Sequence, residues 1–312
     1  MLRKQQKHYI QVLDYISQAE YDRINQLMDI CCKQESINLK LELDYKLHLN
    51  SLAEKATERL SGNIREFLYY IEDTLVAYLG ISCFDGATGE LCGMTHPKYR
   101  KQGIFHRLLV LALNECGHSD FKRLLILADG SSESGMSFMK ANSSSYAHSE
   151  YRMKRLSAST SQSVAGSEQA PTEAVTLRLA CKEDEKEIAR YNAIFFDEKV
   201  LVEETGEYKT TPLEEQPENE KTYMIELNGG SIGKINVEYH GQYAFICGFG
   251  ILPEYRRKGY GRKGLTETLR LIEAQGVTVI ELDVVCTNSN ALGLYQSCGF
   301  VEQSVMNYYS LR

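Results

Sequence analysis

No stretch of eighteen apolar residues occurs in the 312-residue chain, so no helix is expected to span a membrane. The basic start Met1-Leu2-Arg3-Lys4 is followed by no apolar segment of the kind a secretory leader carries. Cys-x-x-Cys pairs are missing too, and the nine cysteines are scattered and odd in number. That spacing argues against a metal site and against a disulfide framework, and predicts reduced thiols in a cytoplasmic protein. Tryptophan is absent, while tyrosine numbers 20. Net positive charge is absent as well: the formal balance is −7, and nothing in it favours nucleic acid as a partner. What remains, 43% hydrophobic and 25% charged residues, is an ordinary folded composition, long enough for two domains with a core each.

The chain carries a repeat of half its length. Thr95-His96-Pro97-Lys98-Tyr99-Arg100-Lys101-Gln102-Gly103 is answered by Ile251-Leu252-Pro253-Glu254-Tyr255-Arg256-Arg257-Lys258-Gly259, an offset of 156 residues. The register continues without a gap through Leu109/Leu265 and Leu113/Leu269, which reads as an old duplication. Residues 156–172 are rich in Ser and Ala without apolar periodicity and read as a linker between domains at 1–155 and 173–312.

In the second half, apolar alternation predicts strands at 175–180, 222–227, 231–239, 243–252 and 277–284, and an extended end at 300–311. Asn228-Gly229-Gly230 supplies a hairpin turn. Helical periodicity marks 182–196, 261–274 and 289–297. The first half repeats this from Arg65 onward, with strands at 67–71, 75–84, 90–95 and 121–128 and a helix at 104–115. Its first sixty residues read as helical, at 21–32 and 39–60. The fold class expected is α/β, an α+β arrangement of two tandem domains, each a mixed, mostly antiparallel sheet with flanking helices.

The richest segment is Arg256-Arg257-Lys258-Gly259-Tyr260-Gly261-Arg262-Lys263-Gly264. Glycines between a strand and a helix let backbone N–H groups approach a phosphate, where the helix terminus adds partial positive charge. Gly259-x-Gly261-x-x-Gly264 also spells the dinucleotide fingerprint, with Glu281 and Asp283 near its acidic position. Six residues separate that first glycine from the strand, however, and too little chain remains for a doubly wound sheet. Arg256-x-x-Gly259-x-Gly261 after Ile251-Leu252-Pro253 instead resembles the pyrophosphate loop of the GCN5-related N-acetyltransferase (GNAT) superfamily. Asn288-Ser289-Asn290-Ala291-Leu292-Gly293-Leu294-Tyr295-Gln296-Ser297-Cys298-Gly299-Phe300 is similar to a second motif of that superfamily, Asn-x-x-Ala-x-x-x-Tyr-x-x-x-Gly-Phe.

The resemblance implies acetyl-CoA as acyl donor and an amine as acceptor, with no metal, nucleic acid or membrane partner. It puts the pantetheine arm along Phe249, Gly250 and Ile251, and the pyrophosphate on the amides of Arg257, Lys258, Gly259, Tyr260, Gly261 and Arg262. Asn288 and Ala291 would face the cofactor, and Tyr295 would protonate the departing thiolate. The superfamily's base position falls on Phe245, which leaves Glu238, His240 and Tyr243 as nearby candidates. Residues 196–220 hold nine acids against two lysines; they read as a solvated loop or, less simply, as part of a wall around a cationic acceptor. A non-catalytic acyl-CoA sensor or scaffold would keep the loop without needing Tyr295.

In the first half Phe105 stands for Gly261, Ser132 for Asn288, Gly135 for Ala291, Met139 for Tyr295 and Ser143 for Gly299. That half is expected to be degenerate, with Phe105 obstructing the phosphate approach and methionine unable to donate a proton.

Overall fold

A period-two apolar pattern needs a partner strand on each side, and the chain meets that need twice. The fold is seen in a computed structural model describing residues 6–55, 65–84, 87–119, 121–142, 145–156, 173–196 and 212–311. In chain order come β1 (His8–Leu13), α1 (Gln18–Glu35), α2 (Leu43–Lys55), β2 (Glu66–Ile71), β3 (Thr74–Ser82) and β4 (Thr88–Thr95). Next are α3 (Ile104–Cys116), β5 (Arg123–Asp129), α4 (Glu133–Ala141) and β6 (Ser145–Arg155). The second half holds β7 (Val175–Leu179), α5 (Glu185–Phe196), β8 (Glu220–Leu227), β9 (Gly230–His240) and β10 (Tyr243–Ile251). It ends with α6 (Tyr260–Ala274), β11 (Val279–Val285), α7 (Ser289–Ser297) and β12 (Phe300–Ser310). Among the described residues no helix is long and apolar enough to cross a membrane.

The 156-residue register persists in three dimensions. β5 and β11 share both ends at that offset, as do α4 and α7, and α3 and α6 start in register. Two compact units result, residues 1–149 with 304–312 and residues 150–303. In the first, the strands run β1-β2-β3-β4-β5-β12; in the second, β6-β11-β10-β9-β8-β7. Each sheet has one parallel pair, β4 with β5 and β10 with β11, and is otherwise antiparallel. The mixed, mostly antiparallel sheets expected from the sequence are therefore present.

The units are not contiguous in sequence. β5 is flanked by the second half of β12, from Met306↔Asp129 to Ser310↔Leu125. β11 is flanked by the second half of β6, from Glu281↔Lys154 to Val285↔Glu150. Each half of the chain thus lends its last strand to the other unit. The proposed linker lies outside the described residues from 157 to 172, as does Ser143.

Two strands and one helix escaped the sequence reading. β1, in the stretch expected to be helical, finds its hydrogen bonds on β2 about sixty residues later (His8↔Ile71), and β6 finds them on β11. α4 was missed although it sits opposite α7 in the repeat, because Ser131-Ser132-Glu133-Ser134-Gly135 reads locally as a turn.

In the first unit β2 and β3 are buried on both faces. α3 covers one with Leu108, Leu109 and Ala112, and α1 covers the other with Ile24, Leu27 and Cys31. The second unit differs. α6 covers one face over Ile235, Val237, Ile246 and Leu282. On the other face α5 covers Met224 and Leu252 at one end, beside Ile188 and Tyr191. Beyond α5 that face carries Glu220, Thr222, Lys234, Asn236, Glu238 and His240, which share a side by strand alternation.

Candidate functional site

β10 and β11 pair from Tyr243↔Val279 to Ile246↔Leu282, and then each runs on, to Ile251 and Val285, without the other. The cause is visible on the far side of β10. Its register with β9 shifts between Cys247 and Gly250, and Gly248 takes a φ of +55°, a bulge that turns the strand away. Gly250 is needed there, because a Cβ at that point would collide with the Phe195 ring. The divergence opens a slot along 248–251, where β10 still pairs with β9 at Gly250 and Ile251 but no longer with β11.

The chain after the slot is shaped for an anion. A single 3₁₀ turn, Pro253–Tyr255, is followed by Arg256, whose Nε donates back to the Ile251 carbonyl at 2.7 Å. Arg257 (φ +56°) and Gly259 (φ +80°) take left-handed angles, and Gly259 caps α6. The Lys263 amide already bonds to the Gly259 carbonyl, so the amides of Tyr260, Gly261 and Arg262 are the first-turn donors with no helical acceptor. A Cβ on Gly261 would lie 3.6 Å from Leu294, 3.7 Å from Ile251 and 3.8 Å from Phe249, so this glycine marks where the walls of the slot meet.

Tyr295 lies across the slot on α7. Its ring packs 6.4 Å from Phe249 and 6.0 Å from Phe300, and the residue is 8% exposed. Among the described residues nothing hydrogen-bonds its hydroxyl. Burial first, then nearby Cys247 and Cys298, push that hydroxyl up to about 12, so it holds its proton at neutral pH. The helix that presents it begins at Asn288, whose side chain accepts from the Ala291 amide at 3.2 Å as a helix cap.

The structure brings Phe249, Gly250, Ile251, Gly259, Gly261 and Tyr295 around one slot. It turns other expected residues elsewhere. The Tyr260 side chain is buried and donates to Glu173 at 2.7 Å, leaving only its backbone amide at the loop. Lys258 lies over the Tyr255 ring, and Arg256 over Phe195. Gly264 packs inside α6 on Ile225, and Arg152 holds Asp283 through two bonds of 2.5 and 3.0 Å. The dinucleotide reading therefore has neither its third glycine nor its acid at a ligand.

Of the base candidates read from the sequence, Glu238 and His240 lie on the polar face beyond α5, where sequence reasoning missed Glu220, Lys234, Asn236 and Cys247. Phe245 is the direct cross-strand partner of Glu238, so a carboxylate faces the position where the sequence has none. Cys247 donates its thiol to Glu238 at 3.6 Å; burial and then Glu238 keep that thiol well above its usual range, and so neutral. His240 Nε2 lies 3.8 Å from Glu238, and Asn219 3.4 Å from His240. Glu220 pairs with Glu238 across β8 and β9 and accepts from Asn236 at 3.0 Å. Tyr243 is drawn off to Glu281, 3.5 Å away. A cavity of about 270 Å³ opens beside these residues, lined by Asn192, Phe196, Lys234, Asn236 and Gly248. The alternation of Lys234, Asn236, Glu238 and His240 along one strand was the signal available. The acidic stretch at 197–211 lies outside the described residues.

Comparison with known proteins bears directly on this slot. Residues 185–300, from α5 through α7, match the acetyltransferase (GNAT) family. That segment of the chain is similar to the GNAT family. The [ribosomal protein bS18]-alanine N-acetyltransferase of Escherichia coli K12 is 36% identical over 67 residues, 21% of this chain and 45% of that one. The chain thus spans less than half the length of the curated relatives it matches. A GCN5-related N-acetyltransferase from Sphaerobacter thermophilus shares the fold, with a TM-score of 0.65 and 15% identity over 97% of this chain and 95% of that one. A tandem GNAT protein from the clavulanic acid biosynthesis pathway gives 0.66 and 13% over 97% and 98%. At such identities the two structures speak for a GNAT fold alone.

Proposed function

We propose that the protein is an acetyl-CoA-dependent N-acetyltransferase whose chemistry lies in the second unit, acting on a primary amine of a small molecule. The observation that carries this reading is the β10–β11 slot, with the first-turn amides of α6 at one end and a protonated Tyr295 across it. Those residues suit acetyl-CoA as donor: a strand unpaired on its β11 side for an amide-bearing arm, and the first-turn amides of α6 with the charge of Arg257 and Arg262 for its phosphates.

In the reaction the amine nitrogen attacks the thioester carbonyl carbon, forming a C–N bond, and the C–S bond then breaks with its electron pair on sulfur. A backbone N–H on the β11 side of 248–251 would donate to the developing oxyanion. Glu238 would take the proton lost by the amine, and Tyr295 would supply the proton gained by the thiolate. The Glu220–Glu238 pair attracts a cationic amine before it is deprotonated, and the 270 Å³ cavity limits the group that fits beside it. A cytoplasmic setting suits nine free cysteines.

A panel of small amines offered with acetyl-CoA, with release of free CoA thiol as readout, tests the proposal. Turnover with one or more amines is expected. Tight acetyl-CoA binding with no thiol release across small-molecule and peptide amines would replace this reading with a binding-only role.

A further inference from the structure

The cavity beside the slot is built around a buried cation. Lys234 on β9 is 2% exposed and lines the space of about 270 Å³ together with Asn192, Phe196, Asn236 and Gly248. Its Nζ donates to Asn236 Oδ1 at 3.1 Å and lies 5.7 Å from the centre of the Phe196 ring. Gly248 lets the ammonium reach this place, because a Cβ there would stand 2.9 Å from Nζ and 3.1 Å from Asn236 Cγ. The glycine that bulges β10 therefore also leaves room for a charge at the edge of the slot.

From α5 the same space receives an acceptor. Asn192 Oδ1 is buried, and among the described residues nothing donates to it. A buried carbonyl oxygen of this kind is satisfied only when a bound molecule or water brings an N–H or O–H. Asn236 connects the cation to the acids. Its Oδ1 accepts from Lys234, its Nδ2 donates to Glu220 at 3.0 Å, and Glu220 stands across from Glu238. One small cavity is thus walled by a positive group and a neutral acceptor, with a pair of carboxylates two residues on from Asn236.

The order along β9 sets the spacing. Gly250 pairs with Lys234, and Cys247 with Asn236, so the bulge at Gly248 falls between them. An amine nitrogen must come to this bulge to reach a thioester held along 248–251. Side chains two residues apart on one face of a strand are about 7 Å apart. Glu238 then lies to one side of the nitrogen and Lys234 to the other, each within reach of a molecule only a few bonds long. A simple alkylamine, entering as a cation, would be drawn by Glu220 and Glu238 and repelled by Lys234. A molecule that also carries a carboxylate offers each charged wall its opposite, and charge-assisted hydrogen bonds are the strong kind.

We infer that the acceptor is a small amino acid, a primary amine with a carboxylate a few bonds away, selected by Lys234 and positioned by Asn192. The inference rests on the proposed acetyl transfer in the second unit and narrows its substrate. Lys234 Nζ donates to the carboxylate, and Asn192 Oδ1 accepts from the amine, which leaves Glu238 to take the proton released on attack. The enclosed volume suits this size, since about 270 Å³ lies just below the usual range of ligand pockets, roughly 300–1,000 Å³. Peptide amines carry an uncharged amide where the amino acid carries its acid, and so lose the contact with Lys234.

The test uses the full chain with saturating acetyl-CoA and release of CoA thiol as readout, on glycine, β-alanine and γ-aminobutyrate, each beside its carboxamide. At least one acid should exceed its carboxamide roughly ten- to a hundredfold in kcat/KM, the worth of one charged hydrogen bond, with the difference in KM. Lys234→Met should collapse that ratio toward one by raising KM for the acid. Asn192→Leu should lower kcat/KM for acid and carboxamide alike while the melting temperature of the free protein stays the same or rises, which a structural asparagine would not do. Carboxamides, alkylamines or peptide amines turned over as well as the acids would overturn the inference and leave the acetyltransferase reading standing. So would a preference for acids that Lys234→Met leaves intact. The wild-type ratio decides even where Lys234→Met fails to fold. Acetyl-CoA binding with no turnover of any amine would overturn the acetyltransferase reading and this inference with it.

Discussion

Burial leaves Tyr295 protonated, as the proposed role of proton donor requires. Its ring is fixed by Phe249 and Phe300, and its hydroxyl is raised to about 12. A general acid works while protonated and fails as pH rises through its pKa, so Tyr295 should impose no alkaline limb on kcat below about pH 10. Tyr295→Phe keeps the packing and removes the proton. We expect kcat to fall by about 10²–10⁴-fold with acetyl-CoA affinity little changed; an unchanged kcat in single-turnover kinetics would make Tyr295 a packing residue. Glu238→Gln is nearly isosteric and cannot accept a proton. It should lower kcat by a similar factor, about 10²–10⁴, and most steeply with amines that are fully protonated at the assay pH. Amines of low basicity should be affected least, which a rate series against amine pKa would show.

Among the elements, β10 and α6 matter most, because one bulge and one left-handed turn separate a pairing strand from an anion-binding helix start. Gly261 belongs to the structure at this scale: its missing side chain keeps the mouth between Phe249, Ile251 and Leu294 open. Valine there would hold a phosphate away from the α6 amides and lose one or two charge-assisted hydrogen bonds, about 1.5–3 kcal/mol each. Acetyl-CoA binding in the second unit should weaken by roughly 10- to 100-fold or more, measured by calorimetry. Alanine should be tolerated, since a bare Cβ meets only ordinary contacts at 3.6–3.8 Å. The helix–strand alternation and the glycine loop were legible in the sequence because both are local: apolar period, turn chemistry and spacing are written within a few residues. β1 and β6 were not, because each takes a pairing partner far along the chain.

For the whole molecule, the exchange of β6 and β12 couples the two halves of the chain through their own folding. Tyr308, on β12, is 1% exposed in the first unit's core and accepts from Lys40 at 2.9 Å. Tyr308→Ala should destabilise the first unit by about 3–5 kcal/mol, the cost of an aromatic-to-alanine cavity in a core. Calorimetry should show the loss, and hydrogen exchange should place it on β5 and α1. Loss of protection confined to 300–311 would instead mean that β12 is a loosely attached edge. The two halves differ in what lies over one sheet face. In the first unit, α1 and the buried Lys46–Glu66 pair close it; in the second it stays polar around Glu220 and Glu238.

The sequence by itself determined the duplication, the strand-and-helix order of the second half, the glycine loop and the helix that presents Tyr295. Each of these depends on contacts within a turn or on a fixed repeat offset. Only the tertiary structure decided which strands pair beside β5 and β11, that Glu238 faces the base position at Phe245, and that the Phe105 ring lies on Gly93. Those outcomes depend on cross-strand register and on paired substitutions far apart in the chain. A phenylalanine at one position has no fixed meaning until the glycine it packs against is known.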